Sequence, residues 1–161
     1  MDSLKKEIAQ NFGIGSIPNK HHLVVNDGFD VWDKERGVEF FSSKTWKDVL
    51  TWLKDDKEYY LEELGCLDLK PIQYYLKAYF DYAFETLDAE EGNDDFMMFF
   101  FCQFYQLKYM KKFEFFSPRS KELIYKFSEL VRNQYEIKRE KSSYDDFSFI
   151  FEAIENFEKY S

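Results

Sequence analysis

The sequence predicts an α+β protein: a small three-stranded antiparallel β-meander near the N-terminus, packed against a mainly helical bundle of about five helices. Three observations lead there. Glycine-bearing turn signals at 26–28 (Asn-Asp-Gly) and 33–37 (Asp-Lys-Glu-Arg-Gly) punctuate a stretch of short apolar runs. Beyond residue 43 the apolar residues recur with the helical period. With 6 Gly and 3 Pro in 161 residues, no linker divides the chain. A single domain, 1–161, is therefore expected, with the short helix and meander in 1–42 and the bundle in 43–161.

Each element has a local reason. Residues 3–12 form a short helix that Ser3 can cap, with Leu4, Ile8 and Phe12 on one side and Gly13 at its end. Residues 13–20 (GIGSIPNK) form a loop, and strands are expected at 22–26, 29–32 and 38–42. In the second strand Phe29 and Val31 share one face, Asp30 and Trp32 the other. Trp46, Val49, Leu50, Leu53, Tyr60, Leu61 and Leu64 make one stripe on a continuous helix from 45 to 64, capped by Ser43 or Thr45 and closed by Gly65. Asp68 and Pro71 introduce the next helix, whose apolar face runs from Ile72 through Tyr75, Tyr79 and Phe80 to Leu87.

Residues 96–110 (FMMFFFCQFYQLKYM) are apolar almost all round, the pattern of the central helix of a bundle. Ser117-Pro118 starts a helix to about 141, with Leu123, Ile124, Phe127, Leu130, Val131 and Tyr135 inward. Ser143 and Asp146 resemble a capping box ahead of a last helix carrying Phe147, Ile150, Phe151, Ile154 and Phe157.

Composition narrows the function classes. Phenylalanine (19) outnumbers leucine (13), and 45% hydrophobic content excludes intrinsic disorder. A net charge of −9 argues against a general nucleic-acid binder, since phosphate binding is driven by excess positive charge. The longest apolar run, 96–102, is far shorter than the ~20 residues of a membrane span. No apolar stretch follows Lys5-Lys6, so no signal peptide is read. Cys66 and Cys102 form no motif; a bridge between them stays open as an alternative to two reduced thiols in a cytoplasmic setting.

Catalytic patterns are absent. His21 and His22 are adjacent, so a strand would point them to opposite faces, and neither His nor Cys spacing fits a metal site. The Gly13-Ile14-Gly15-Ser16 segment follows a helix and lacks the Lys-Ser/Thr ending of a phosphate loop. The acid pairs Glu90/Glu91, Asp94/Asp95 and Asp145/Asp146 fall in connectors or at helix starts, where solvation and the helix dipole account for them. Neither cofactor nor metal is expected, and the chain reads as a non-enzyme.

The charge map is more informative. Residues 81–107 carry seven acids (Asp81, Glu85, Asp88, Glu90, Glu91, Asp94 and Asp95) and no base. Residues 108–141 are net positive, but Glu122, Glu129, Glu136 and Glu140 interleave with Lys121, Lys126, Arg132, Lys138, Arg139 and Lys141 as on an exposed bundle face. The acids, with Trp52, Tyr74 and Tyr82 lying off the apolar stripes beside them, are the expected partner-binding residues.

The expectation is a non-enzymatic, acidic protein-binding protein: an inhibitor docking on a basic surface of a nuclease or other nucleic-acid-handling protein, in the cytoplasm of a bacterial or phage-infected cell. In composition, though in no motif, the chain is similar to phage anti-defence or anti-CRISPR inhibitors and to immunity proteins against nuclease toxins. The alternatives are a nucleic-acid-binding regulator using helix 119–141 and a small-ligand enzyme with a site in the bundle, Gln103 among its polar groups.

Overall fold

The computed structural model describes residues 1–19, 23, 31–55, 64–89, 93–141 and 147–160. Among these residues the chain forms seven α-helices and no strand: α1 (Asp2–Ala9), α2 (Val31–Phe41), α3 (Trp46–Asp55), α4 (Leu69–Asp88), α5 (Asp94–Tyr109), α6 (Pro118–Lys141) and α7 (Ser148–Lys159). Two 3-10 turns, Leu64–Cys66 and Phe113–Phe115, punctuate the connections. Over the described residues the fold is all-α, which overturns the expected α+β class and its β-meander.

The correction has a physical reason at residues 31–42. The first expected strand, 22–26, lies almost wholly outside the described residues, as do Phe29 and Asp30 of the second and His21 and His22. Residues 31, 32 and 38–41, however, belong to α2. Phe40 and Phe41 are both buried. A strand would send neighbouring side chains to opposite faces, whereas on a helix only about 100° separates them and both reach the core. Gly37, which the sequence marks as a turn, sits inside α2 because a Cβ there would stand 2.6 Å from the Cys66 sulfur. It permits the 3-10 turn at Leu64–Cys66 to approach the helix backbone.

The end of α2 is held by side chains from outside it. Lys44 Nζ donates to the Phe40 carbonyl at 2.7 Å, and the Tyr75 hydroxyl donates to the Phe41 carbonyl at 2.8 Å. These bonds satisfy carbonyls that have no partner within the helix. Burial pushes the Tyr75 hydroxyl well above the ordinary tyrosine range, so the proton that makes this bond is kept.

Helices α4 to α7 follow the sequence periodicity closely. Asp68 caps α4, its carboxylate accepting from the Leu69 N–H at 2.7 Å. α3 begins as expected, with Thr45 and Asp48 exchanging hydrogen bonds at its start, and is described as far as Asp55; residues 56–63 of the expected helix, Tyr60 and Leu61 among them, lie outside the described residues. So do Ser143 and Asp146 ahead of α7. The central helix is α4, not α5. Its side chains from Ile72 to Leu87 are buried almost throughout, Tyr74 and Tyr82 included, because α1, α3 and α5 pack around it.

Phenylalanine fills the centre. The Phe80 ring meets Phe12 at 5.0 Å, Phe100 at 5.2 Å and Phe127 at 5.2 Å, joining α4 to α5, α6 and the residues after α1. Most of these contacts are tilted or edge-to-face, the arrangement the ring quadrupole favours. The Phe surplus is thus a packing device of the core.

Candidate functional site

The α4–α5 connection has Asp88 on one side and Asp94 and Asp95 on the other, at one end of a helical hairpin. Tyr82 packs on Phe96 with ring centroids 4.5 Å apart, while Phe80 meets Phe100, so the two helices run in opposite senses. Asn93 organises the junction. Its Oδ1 accepts from the Phe96 N–H at 3.0 Å, capping α5, and its Nδ2 donates to the Tyr82 hydroxyl at 3.3 Å. One amide therefore fixes the start of α5 against α4 and sets the position of Asp94 and Asp95.

The seven acids have different environments. Asp81 is ion-paired with Lys77, and the pair is nearly buried under Trp46, whose ring lies 4.5 Å from the Lys77 ammonium. Glu85 pairs with Lys54 at 2.8 Å. Together Asp81 and Glu85 line a shallow groove of about 400 Å³ whose other walls include Lys5, Lys6 and Lys77, so their charge is locally balanced. Asp94 accepts a 2.6 Å hydrogen bond from the Tyr135 hydroxyl of α6.

Asp88 and Asp95 are exposed and have no ion-pair partner among the described residues; Glu90 and Glu91 lie outside those residues. Asp95 stands in the first turn of α5, where the helix dipole favours it. Asp88 is the last residue of α4, where the dipole opposes a carboxylate. An acid kept in an unfavourable position, with no described cation to balance it, leaves net negative potential directed to solvent.

The three aromatic residues named with the acids are not free projections. Trp52 is half-buried, its ring tilted against Phe40 with centroids 4.1 Å apart and the Lys44 ammonium 3.7 Å from its ring centre. Burial is the main reason the Lys44 pKa falls below the usual lysine value. Tyr74 and Tyr82 are each 7% exposed. Tyr82 positions Asn93, and Tyr74 packs edge-on against Tyr75 while bordering a separate cleft of about 800 Å³ beside the 14–19 loop. Among the described residues of this group, Asp88 and Asp95 are the ones exposed without an ion-pair partner.

The net-positive α6 is largely satisfied within the fold. Arg119 pairs with Glu7 of α1 and with Glu122, Lys126 pairs with Glu122 at 2.8 Å, and Arg132 pairs with Glu158 of α7 at 2.6 Å. Hydrogen bonds from Lys126 and Arg119 hold the Glu122 carboxyl down to about 2. The remaining cations of this helix include Lys138, over the Tyr135 ring, and Arg139, over Phe151. Cys66 and Cys102 are both reduced thiols, Cys66 buried and Cys102 half-buried.

Two features escaped the sequence reading. Asn93 is legible in retrospect as an Asn cap ahead of two acids. The second is the outer face of α5, where Tyr105 and Tyr109 are exposed and Met98, Phe99 and Cys102 half-buried. Its only sequence signal is that 96–110 is more apolar than one buried side requires.

No protein family, curated protein or solved structure matches the chain. Over the described residues the chain is an all-α helical array with exposed acids at the α4–α5 end. Among the described residues no helix is long and apolar enough to cross a membrane, and no group of three or more His, Cys, Asp or Glu is placed to hold a metal ion.

Proposed function

We propose that this chain is a non-enzymatic protein-binding protein of the cytoplasm, an inhibitor whose α4–α5 end docks on a basic surface of a nucleic-acid-handling protein such as a nuclease. One observation carries the reading. The balanced acids, Asp81 and Glu85, face lysines of the same chain, whereas Asp88 and Asp95 at the hairpin end face solvent without a counter-charge among the described residues. Adjacent same-sign charges raise the rate at which an oppositely charged groove is found. Glu90 and Glu91 follow Asp88 in sequence and add to the same charge run. Nuclease-immunity and phage anti-defence proteins are the functional classes with this requirement, since both must outcompete a polyanion for a cationic cleft.

The test is kinetic. The tagged chain is used to capture partners from its native host, and association with the captured protein is followed at increasing salt. Reversing Asp88, Glu90, Glu91 and Asp95 to Lys is expected to slow association by roughly tenfold or more at low salt, with little change in dissociation. Association that is indifferent to both salt and charge reversal removes the proposal.

A further inference from the structure

We infer that the chain pairs with a second copy of itself through the outer face of α5, the two helices lying antiparallel across a two-fold axis near Cys102. This goes beyond the proposed inhibitor function; the two share Asp95, and Lys111, which that proposal does not use, tells them apart.

The argument begins with what an exposed helix face ought to contain. A helix on the surface of a globular protein turns charged and polar residues outward. α5 instead presents Asp95, Met98, Cys102, Tyr105 and Tyr109 at steps of three and four, with Phe99 and Gln106 beside them. Tyr109 is 67% exposed and Tyr105 36%. Tyr160 extends the aromatic surface, its ring 5.2 Å from Tyr105 and 6.2 Å from Tyr109. From 95 to 109 the stripe is about 21 Å long, enough for one helix–helix seam. Its inner side is already filled by α4, α6 and α7, while Tyr105 and Tyr109 on the outer one stay exposed.

Charge selects the occupant. The stripe is acidic at its start, with Asp95 exposed and Asp94 beside it, and basic at its end, with Lys111 exposed just past the helix. Such a polarity complements its own reverse. In an antiparallel pair centred on residue 102, position 102+n faces 102−n. Tyr109 then opposes Asp95, Tyr105 opposes Phe99, Gln106 opposes Met98, and Lys111 comes within a turn of Asp94 and Asp95. Two-fold symmetry makes each contact twice. A parallel pair would set acid on acid and base on base, which costs energy at both ends. Burial, and after it the charge of Glu152 on α7, raises the Cys102 thiol pKa.

The experiment uses the full chain, with light scattering after size exclusion from low micromolar to several hundred micromolar and circular dichroism as a fold control. The expected result is a species of twice the chain mass at high concentration. Asp95→Lys and Lys111→Asp should each raise the dimer Kd roughly tenfold, because symmetry doubles every repulsion. The double reversal should restore it. Aspartate tolerates the left-handed backbone of residue 111, where φ is 57°, so the second variant is expected to fold. A short bis-maleimide should link two chains through Cys102 and fail with Cys102→Ser, since Cys66 is buried. A chain monomeric at every concentration, or a dimer indifferent to both reversals, overturns the pairing. A double reversal no better than either single change overturns its antiparallel register.

Discussion

The Tyr135 hydroxyl donates to Asp94 Oδ1 at 2.6 Å, so the fifth turn of α6 is bonded to the first residue of α5. Tyr135 is fully buried, and its ring also packs against Phe147 at 5.2 Å. Hydrogen bonds to ionised groups contribute more than neutral ones, about 1.5–3 kcal/mol. Tyr135→Phe keeps the ring and removes the donor. It is expected to lower the urea midpoint by an amount equivalent to about 2 kcal/mol, with an unchanged m-value. Adding Asp94→Asn to the Tyr135→Phe variant should then cost little more, because the two residues act as one unit.

The same bond sets the response to alkali. Burial first, and then the bond to Asp94, raises the Tyr135 pKa; burial does the same for Tyr75. An unfolded tyrosine loses its proton near pH 10, whereas these two hold theirs in the folded state. Their contribution to stability is therefore complete below pH 10 and declines as pH rises above it. Phenolate absorbance and helical circular dichroism should reveal this as a late tyrosine titration that coincides with unfolding. Tyr135→Phe should flatten the decline. Phenolate formation from all twelve tyrosines with the helices intact would contradict it.

Gly37 and Cys66 should behave as a coupled pair. Alanine in a helix interior is favoured over glycine by about 1 kcal/mol. At position 37, however, the added methyl meets the Cys66 sulfur 2.6 Å away in the buried 3-10 turn. Gly37→Ala alone is expected to destabilise by about 1–3 kcal/mol, as overpacking does. In a Cys66→Ala background the collision is gone and the helix preference should surface, so the sign reverses. Thermal unfolding of the four proteins in the cycle measures this directly.

Lys108 is another isolated support. Its ammonium donates to the carbonyls of Phe157 at 2.7 Å and Tyr160 at 3.0 Å, and it lies 4.6 Å from the Phe157 ring centre. It thus satisfies the open end of α7 with a cation, where the dipole favours one. Lys108→Met retains the aliphatic stem and removes the charge. The expected loss is about 1–3 kcal/mol, with faster amide exchange confined to the last turns of α7.

How much of this could be read from the sequence follows from the kind of signal each part gave. α4, α6 and α7 have long one-sided stripes, such as Ile72 to Leu87, and their extents were legible to within a few residues. α2 was not, because Gly37 marks a close approach rather than a turn, and Phe40 and Phe41 fit two periods equally well over so short a span. Tyr74 and Tyr82 lie off the stripe of α4 but are buried, since a helix enclosed on several sides has no solvent face for periodicity to reveal. The acids were visible as a run. Which of them are balanced was legible only for Asp81, whose partner Lys77 stands four residues earlier on α4; Lys54 reaches Glu85 from α3 through the fold.

α6 receives partners from both ends of the chain. Arg119 pairs with Glu7 of α1, 112 positions earlier, and Arg132 pairs with Glu158 of α7. A chain made from its N-terminus onward exposes α1 long before the residues of α6 exist. Ile8 and Phe12, fully buried at the end, must spend that interval without their full surroundings. Contacts so distant in sequence close large loops and slow folding. The order of synthesis thus gives the nascent protein an early sticky segment, covered only once most of its helices have emerged.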